Sequence, residues 1–313
     1  MQPIEQVIQK MRERGEHDGK VLDSSEGCDV IACETCGFVH ISPLPDARAL
    51  EQDYKDNYYD DVTRDRIAYY ERDRDWWMVS YGDVLAEIEN QLAPGSGRRL
   101  LDVGCGAGIF LEAASMAGWE ATGVEPGHTA ASHCQGKGLT VIEDTFEGAV
   151  SGLREPFDVV HMRNVLEHVP APAAMIEEAA RRLKPGGLLV AVVPNDYNPI
   201  QKALRKVEGY RPWWIAVKHH LNYFDFESLE GLVTARGFEP VSRFCSFPID
   251  LFLAMGDNYV ETPEIGRASH LRRVRMENLF EQAGLAETRR DLYRSFANAG
   301  LGREACVVAR LKG

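Results

Sequence analysis

Leu101-Asp102-Val103-Gly104-Cys105-Gly106-Ala107-Gly108 is the stretch on which the fold turns. The predicted strand from Arg99 to Val103, apolar at Leu100, Leu101 and Val103, breaks into alternate glycines, and residues 108–117 then follow helical spacing. A strand that passes through a glycine turn into a helix opens a βαβ unit. Outward from it the alternation repeats, with strands predicted at 99–103, 120–124, 139–142, 157–162 and 187–193. Helices are predicted at 108–117, 128–136, 172–183 and 226–236, and two further strands at 239–246 and 304–310 flank a helical insert near 263–299. Such a pattern makes an α/β domain with a parallel sheet. A seventh strand arriving late and separately is expected to insert antiparallel.

A glycine turn between strand and helix lets a ligand approach the backbone and the helix N-terminus. A dinucleotide would want glycine again at Ile109, and Asp102 would set a carboxylate against its pyrophosphate. S-adenosylmethionine carries an ammonium and a sulfonium instead, so an acidic residue ending the first strand favours it. The second predicted strand ends in Gly123-Val124-Glu125-Pro126, where a carboxylate can accept both hydroxyls of a ribose.

With Phe157-Asp158-Val159-Val160, Val165-Leu166-Glu167-His168-Val169 and Leu183-Lys184-Pro185-Gly186-Gly187, the pattern resembles the class I S-adenosylmethionine-dependent methyltransferases over about residues 98–245. The resemblance implies a Rossmann-like seven-strand sheet of order 3-2-1-4-5-7-6 with the last strand antiparallel. It implies cofactor contacts from Asp102, Gly104, Cys105, Gly106, Gly108, Glu125 and Pro126. It further places Asp144 and Thr145 near the adenine and Arg163 and Asn164 near the methionine part.

Upstream, Ile4, Val7, Ile8 and Met11 predict a short amphipathic helix, and Cys33-Glu-Thr-Cys36-Gly37 a knuckle within a small β-rich module spanning 1–45. Residues 46–97 read as a helical, acidic and aromatic lid or linker, closed by Pro94-Gly95-Ser96-Gly97. The methyltransferase domain then occupies 98–313, with inserts at 195–222 and 262–300. Cys33-x-x-Cys36-Gly37, Pro43-x-Pro45 and Tyr58-Tyr59 resemble methyltransferases with a small N-terminal zinc-ribbon-like module, many of which act on sugars or polyketide-type metabolites. The first Cys-x-x-Cys pair of that pattern is missing here, leaving His17, Cys28 and His40 as remaining candidates for the four ligands zinc needs. The expectation is a degenerate, metal-free knuckle that has kept its shape by packing, and Tyr58 and Tyr59 folding over the site.

Methyl transfer needs an aligned nucleophile and, for oxygen, a base. His168 after the fourth strand and His220 before the helix at 226–236 are the catalytic candidates, with His219 and Tyr223 beside the latter as substrate-facing candidates. Tyr210, Trp213 and Trp214 in the 195–222 insert are expected to cap the substrate. Glu167-His168 also resembles the motif of quinone-pathway O-methyltransferases, some of which bind a divalent ion, although Asn164 stands at that motif's earlier acidic position. Residues 262–313 hold ten Lys or Arg against six Asp or Glu, and Arg267, Arg272, Arg273 and Arg275 are candidates to meet an anionic substrate such as a nucleotide sugar.

The whole chain, 313 residues with a net charge of −13, repels a nucleic-acid backbone unless its positive charge is gathered. No apolar run is long enough for a membrane span, Met1 to Lys20 lacks a signal-peptide core, and seven dispersed Cys argue against a disulfide framework. The chain is therefore expected to be cytoplasmic, with no nucleic-acid or membrane partner. The leading function is methyl transfer to an oxygen of a sugar, nucleotide sugar or secondary metabolite. The alternatives are an RNA methyltransferase and a non-catalytic cofactor-binding scaffold.

Overall fold

Apolar strands that alternate with amphipathic helices can bury their faces only by stacking in layers. In the computed structural model, which describes residues 17–44, 61–93, 95–153 and 156–313, they do so around one large sheet. The predicted N-terminal helix and the pair Tyr58 and Tyr59 lie outside the described residues.

The chain opens on an antiparallel meander of β1 (Gly19–Ser25), β2 (Cys28–Cys33) and β3 (Val39–Ser42). Two helices follow, α1 (Asp61–Arg72) and α2 (Arg74–Gln91). The alternating part runs β4 (Arg99–Val103), α3 (Ile109–Met116), β5 (Glu120–Val124), α4 (His128–Gly136), β6 (Val141–Ile142), the one-turn α5 (Phe146–Ala149), β7 (Phe157–Arg163), α6 (Pro172–Arg182) and β8 (Leu183–Pro194). It continues with α7 (Pro199–Glu208), β9 (Asn222–Tyr223), α8 (Phe226–Thr234), β10 (Phe238–Cys245), α9 (Asp250–Ala254), α10 (Pro263–Gln282), α11 (Ala286–Asn298) and β11 (Glu304–Leu311).

The large sheet has the order β10-β11-β8-β7-β4-β5-β6. Read from β6 this is the expected 3-2-1-4-5-7-6, and β11 inserts antiparallel between β8 and β10. Leu188 to Val193 is an unbroken apolar run because both faces of this central strand are covered. The strand begins earlier than its apolar run, since Leu183 already pairs with Phe157. Strand order reverses beside β4, where β5 pairs on one side and β7 on the other. A crevice at the carboxyl ends of these strands is where open α/β sheets bind ligands.

The small sheet has the order β1-β2-β3-β9, so its fourth strand comes from the loop after α7. Its apolar face needs a cover, and the aromatic insert supplies one. Trp214, Tyr197, Leu221 and Tyr223 join Val30 and Ile41 in a second core, with Trp213 packed against it. Trp214 and Tyr223, both expected to face substrate, are instead buried in this core, and Trp213 packs on it. Tyr210 stacks edge-on against Trp213, and none of the four lines the cavity described below.

Candidate functional site

The glycine loop carries Gly104, Gly106 and Gly108 at φ values of 71°, 52° and 74°, a region that other L-residues enter at a cost. Its backbone crosses the end of β5, where Gly104 N–H bonds the Val124 carbonyl at 2.8 Å. The Glu125 carboxylate then folds back onto it, accepting from Gly106 N–H at 2.9 Å and Gly127 N–H at 2.8 Å. Burial raises the Glu125 carboxyl above its ordinary range, and those two donors work against the rise. A Cβ at Gly104 would lie 2.7 Å from Val165 and one at Gly108 2.6 Å from the Cys134 sulfur. A Cβ at Gly106 would meet nothing within 4 Å, so the open side of the loop is there, beside Glu125.

The remaining predicted cofactor residues take varied places. Asp102 is buried and spends one oxygen on His161 Nδ1 at 2.7 Å, so it props the strand end from beneath. Cys105 turns its sulfur toward Gly123, and Pro126 follows Glu125 half-buried. Asp144 and Thr145 are exposed, and Thr145 caps α5 by accepting from Gly148 N–H at 3.1 Å.

A cavity of about 550 Å³ lies over the ends of β7, β8 and β11, under α1, α2 and α10. Arg163, the last residue of β7, reaches into it, bonded to Glu304 at 2.8 Å and stacked 4.9 Å from the Trp77 ring. Asn164 beside it holds a φ of 53°, and its buried Oδ1 takes no hydrogen bond from any described residue. Strain of this kind in a non-glycine residue is retained where the surroundings fix it, and functional sites are where it gathers.

His168 and His220 both line this cavity, with rings edge-to-face at 5.0 Å. His168 Nδ1 donates to the His219 carbonyl at 2.6 Å; the His219 side chain itself is exposed and does not line the cavity. Burial holds His168 down to about 4 and, with His168 beside it, His220 down to about 3. Both imidazoles are thus neutral at physiological pH.

Glu167, which sequence reasoning treated only as part of a motif, is 1% exposed at the floor of the same cavity. No other described residue donates a hydrogen bond to its carboxyl group, which burial pushes up to about 8. One ligand-type atom from each of Glu167, His168 and His220 falls within 4.8 Å of the others. The second carboxylate of the quinone-pathway motif is replaced by the Asn164 amide, so an acidic pair for a divalent ion is not present there.

Six guanidiniums line the cavity, those of Arg66, Arg72, Arg163, Arg267, Arg273 and Arg303, against two carboxyls, Glu167 and Glu304. Of the four candidates in the insert, Arg267 and Arg273 face inward, Arg273 4.3 Å over the Trp76 ring. Arg272 pairs with Asp257 outside, and Arg275 is exposed. The aromatic walls are Tyr69, Trp76 and Trp77 rather than the aromatic insert. In the small N-terminal sheet, ligand-type atoms of His17, Cys33, Cys36 and His40 lie within 4.8 Å of one another, while Cys28 packs against the second core.

The family model described as "Methyltransferase domain" matches residues 70–243, more than half of this chain. A ubiquinone biosynthesis O-methyltransferase of Actinobacillus pleuropneumoniae is 40% identical over 103 residues, covering 30% of this chain and 44% of that protein. One of Cereibacter sphaeroides is 33% identical over 171 residues, covering 51% and 69%. The chain thus spans under half the length of some of the curated relatives it matches. A crystal structure of a SAM-dependent methyltransferase from Thermotoga maritima aligns with 58% of this chain and 82% of its own at 24% identity, with a TM-score of 0.42.

Proposed function

Since this chain belongs to the class I S-adenosylmethionine-dependent methyltransferases, we propose that it moves a methyl group onto an oxygen of an anionic small molecule held in the arginine-lined cavity. The cofactor fits the residues present. Gly106 leaves open space beside Glu125, whose carboxylate is already oriented by two backbone donors and keeps lone pairs for hydroxyl groups. Asn164 Oδ1 adds a buried acceptor at the edge of the cavity. When bound, the cofactor supplies a methyl group on a sulfonium, a leaving group that needs no acid.

What this chain's own residues contribute is binding, orientation and one proton transfer. The single observation that carries the proposal is the excess of six guanidiniums over two carboxyls in one cavity with a neutral imidazole pair. Glu167 holds its proton below about pH 8, Glu304 is paired with Arg163, and Asp73 behind the wall is shared by Arg267 and Arg72, so guanidiniums still outnumber the ionised carboxylates and the cavity suits a carboxylate or phosphate. Trp76, Trp77 and Tyr69 give flat apolar walls for a ring. His220, neutral and lining the cavity, takes the hydroxyl proton as the new bond to carbon forms. Its basicity is low in the free protein, and the negative charge of the substrate raises it on binding.

The test is transfer of labelled methyl from S-adenosylmethionine to a panel of hydroxylated small molecules in anionic and neutral pairs, nucleotide sugars and hydroxybenzoates included. Label on an oxygen of anionic members is the expected result. Label on RNA or on a cationic amine, or cofactor binding with no transfer to any member, overturns the proposal.

A further inference from the structure

We infer that His17, Cys33, Cys36 and His40 form a zinc site that locks the small sheet and, through it, the backbone next to His220. Tetrahedral zinc with bonds of about 2.3 Å to sulfur and about 2.05 Å to nitrogen sets its ligand atoms about 3.3 Å apart for two nitrogens and about 3.5 Å for nitrogen and sulfur. Here His17 Nδ1 lies 3.1 Å from His40 Nε2, 3.7 Å from the Cys33 sulfur and 3.3 Å from the Cys36 sulfur. All four ligand atoms lie within 4.8 Å of one another. That is the spacing of a closed four-coordinate set, which is the arrangement of structural rather than catalytic zinc.

The surroundings orient these atoms. His40 Nδ1 donates to the Ile41 carbonyl at 2.8 Å, which fixes the tautomer and leaves the Nε2 lone pair facing the cluster. Cys36 N–H points at the Cys33 sulfur at 3.4 Å and Gly37 N–H bonds the Cys33 carbonyl at 3.0 Å, so the knuckle offers a backbone donor to a thiolate. Glu34 N–H bonds the Asp18 carbonyl at 3.0 Å, which pins the segment carrying His17 across the knuckle. Two imidazole nitrogens facing each other can share only one proton between them, whereas a cation satisfies both lone pairs together with two thiolates. The ligand set is thus made from both strands that flank the knuckle and needs no second Cys-x-x-Cys pair.

The site also reaches the cavity through backbone pairing. His40 stands opposite Asn222 in the β3–β9 ladder, and Ile41 N–H bonds the Leu221 carbonyl at 3.0 Å. Leu221 and Asn222 in turn donate their N–H groups to the Glu167 carbonyl at 2.8 and 3.1 Å. A metal that fixes His40 therefore fixes the strand immediately after His220.

The experiment measures bound metal in the purified full chain, independently of any turnover. About one zinc per chain is expected, falling to a small fraction in Cys36→Ser and in His40→Gln and unchanged in Cys28→Ser. Because the first two variants can lose metal merely by unfolding, the unaltered protein is also stripped with a chelator and refilled with cobalt. A stoichiometric, visible absorption of tetrahedral cobalt thiolate is expected, together with faster amide exchange at 19–42 and 221–224 in the stripped protein. Absence of both zinc and cobalt binding, metal loss in Cys28→Ser equal to that in Cys36→Ser, or exchange at 221–224 that ignores the metal would each overturn the inference.

Discussion

Gly106 and Gly108 sit two residues apart in one loop, both left-handed, and an added methyl should make them fail in different ways. The backbone conformation alone costs an alanine roughly 1–2 kcal/mol at either position. At Gly108 the new Cβ also lands 2.6 Å from the Cys134 sulfur and 2.8 Å from a Leu139 methyl, inside the packed face of α3 and α4. Overpacking of that kind adds about 1–3 kcal/mol. Gly108→Ala is therefore expected to lose roughly 2–5 kcal/mol, a fall in Tm of about 4–20 °C at roughly 2–4 °C per kcal/mol for a chain of this size. Gly106→Ala carries the conformational cost alone, about 2–8 °C on the same scale. Its methyl projects into the open space beside Glu125, and if the cofactor fills that space its affinity falls by roughly 5- to 150-fold, the same 1–3 kcal/mol of overlap transferred to the ligand. Thermal unfolding with and without S-adenosylmethionine, and calorimetric titration below both midpoints, separate the two effects. If Gly106→Ala bound the cofactor as tightly as the unaltered protein, the cradle would lie elsewhere. Loss of binding in a fully stable Gly108→Ala would be equally damaging.

The proton-transfer assignment is tested by His220→Ala, expected to bind cofactor normally and to turn over about 10²–10⁴ more slowly. His168→Ala serves as the control, and the reverse ranking would move the base to His168. Because the free His220 is held down to about 3, kcat/KM should show no acid limb at the ordinary imidazole value of roughly 6.5, and such a limb would contradict the burial argument. Glu167 governs stability against pH. Its folded form keeps a proton up to about pH 8 while the unfolded chain releases it near 4.5, so the folded state binds more protons across that window. Stability should then decline as pH rises from 5 to 8, by up to roughly 1.4 kcal/mol per pH unit, with buried Asp196 adding in the same direction below about pH 7. Urea unfolding of Glu167→Gln should give a flatter profile; an unchanged slope would remove Glu167 as its source.

The parts of the molecule legible in the sequence are those whose physics is local. Strand periodicity, the glycine turn and Glu125 at the end of β5 depend on neighbours a few residues away, and the sheet order follows from the family these residues resemble. The place of the aromatic insert is not legible, because Trp213 and Trp214 are as apolar in a lid as in a core. What decides is the small sheet's uncovered face, known only once β9 is seen to pair with β3. The second core and the metal ligands share that cause. His17 and His40 lie 23 positions apart and come together only because β1 and β3 both pair with β2. The burial of Glu167 is not legible either, since the backbone that closes on it, Leu221 and Asn222, lies more than fifty residues downstream. A carboxyl directly before a histidine at a strand end was the signal available.

The charge of the cavity is opposite to that of the chain, and this contrast has a consequence for binding. The net charge of −13 belongs to the chain as a whole, while guanidiniums drawn from positions as distant as Arg66 and Arg303 converge inside. An anionic substrate therefore meets repulsion at long range and attraction only at the wall. The Debye length is about 8 Å at physiological ionic strength, so added salt screens the distant repulsion more completely than contacts within the cavity. Uniform attraction would weaken with salt, and KM for an anionic acceptor would climb. With the two signs separated in space, KM should instead stay level or fall between low and physiological salt. Arg273→Gln, which removes a buried inward charge stacked on Trp76, should raise KM at every salt concentration while leaving cofactor affinity alone. A KM that rose steeply with salt in the unaltered protein would mean that the acceptor binds at an exposed surface and not under α10.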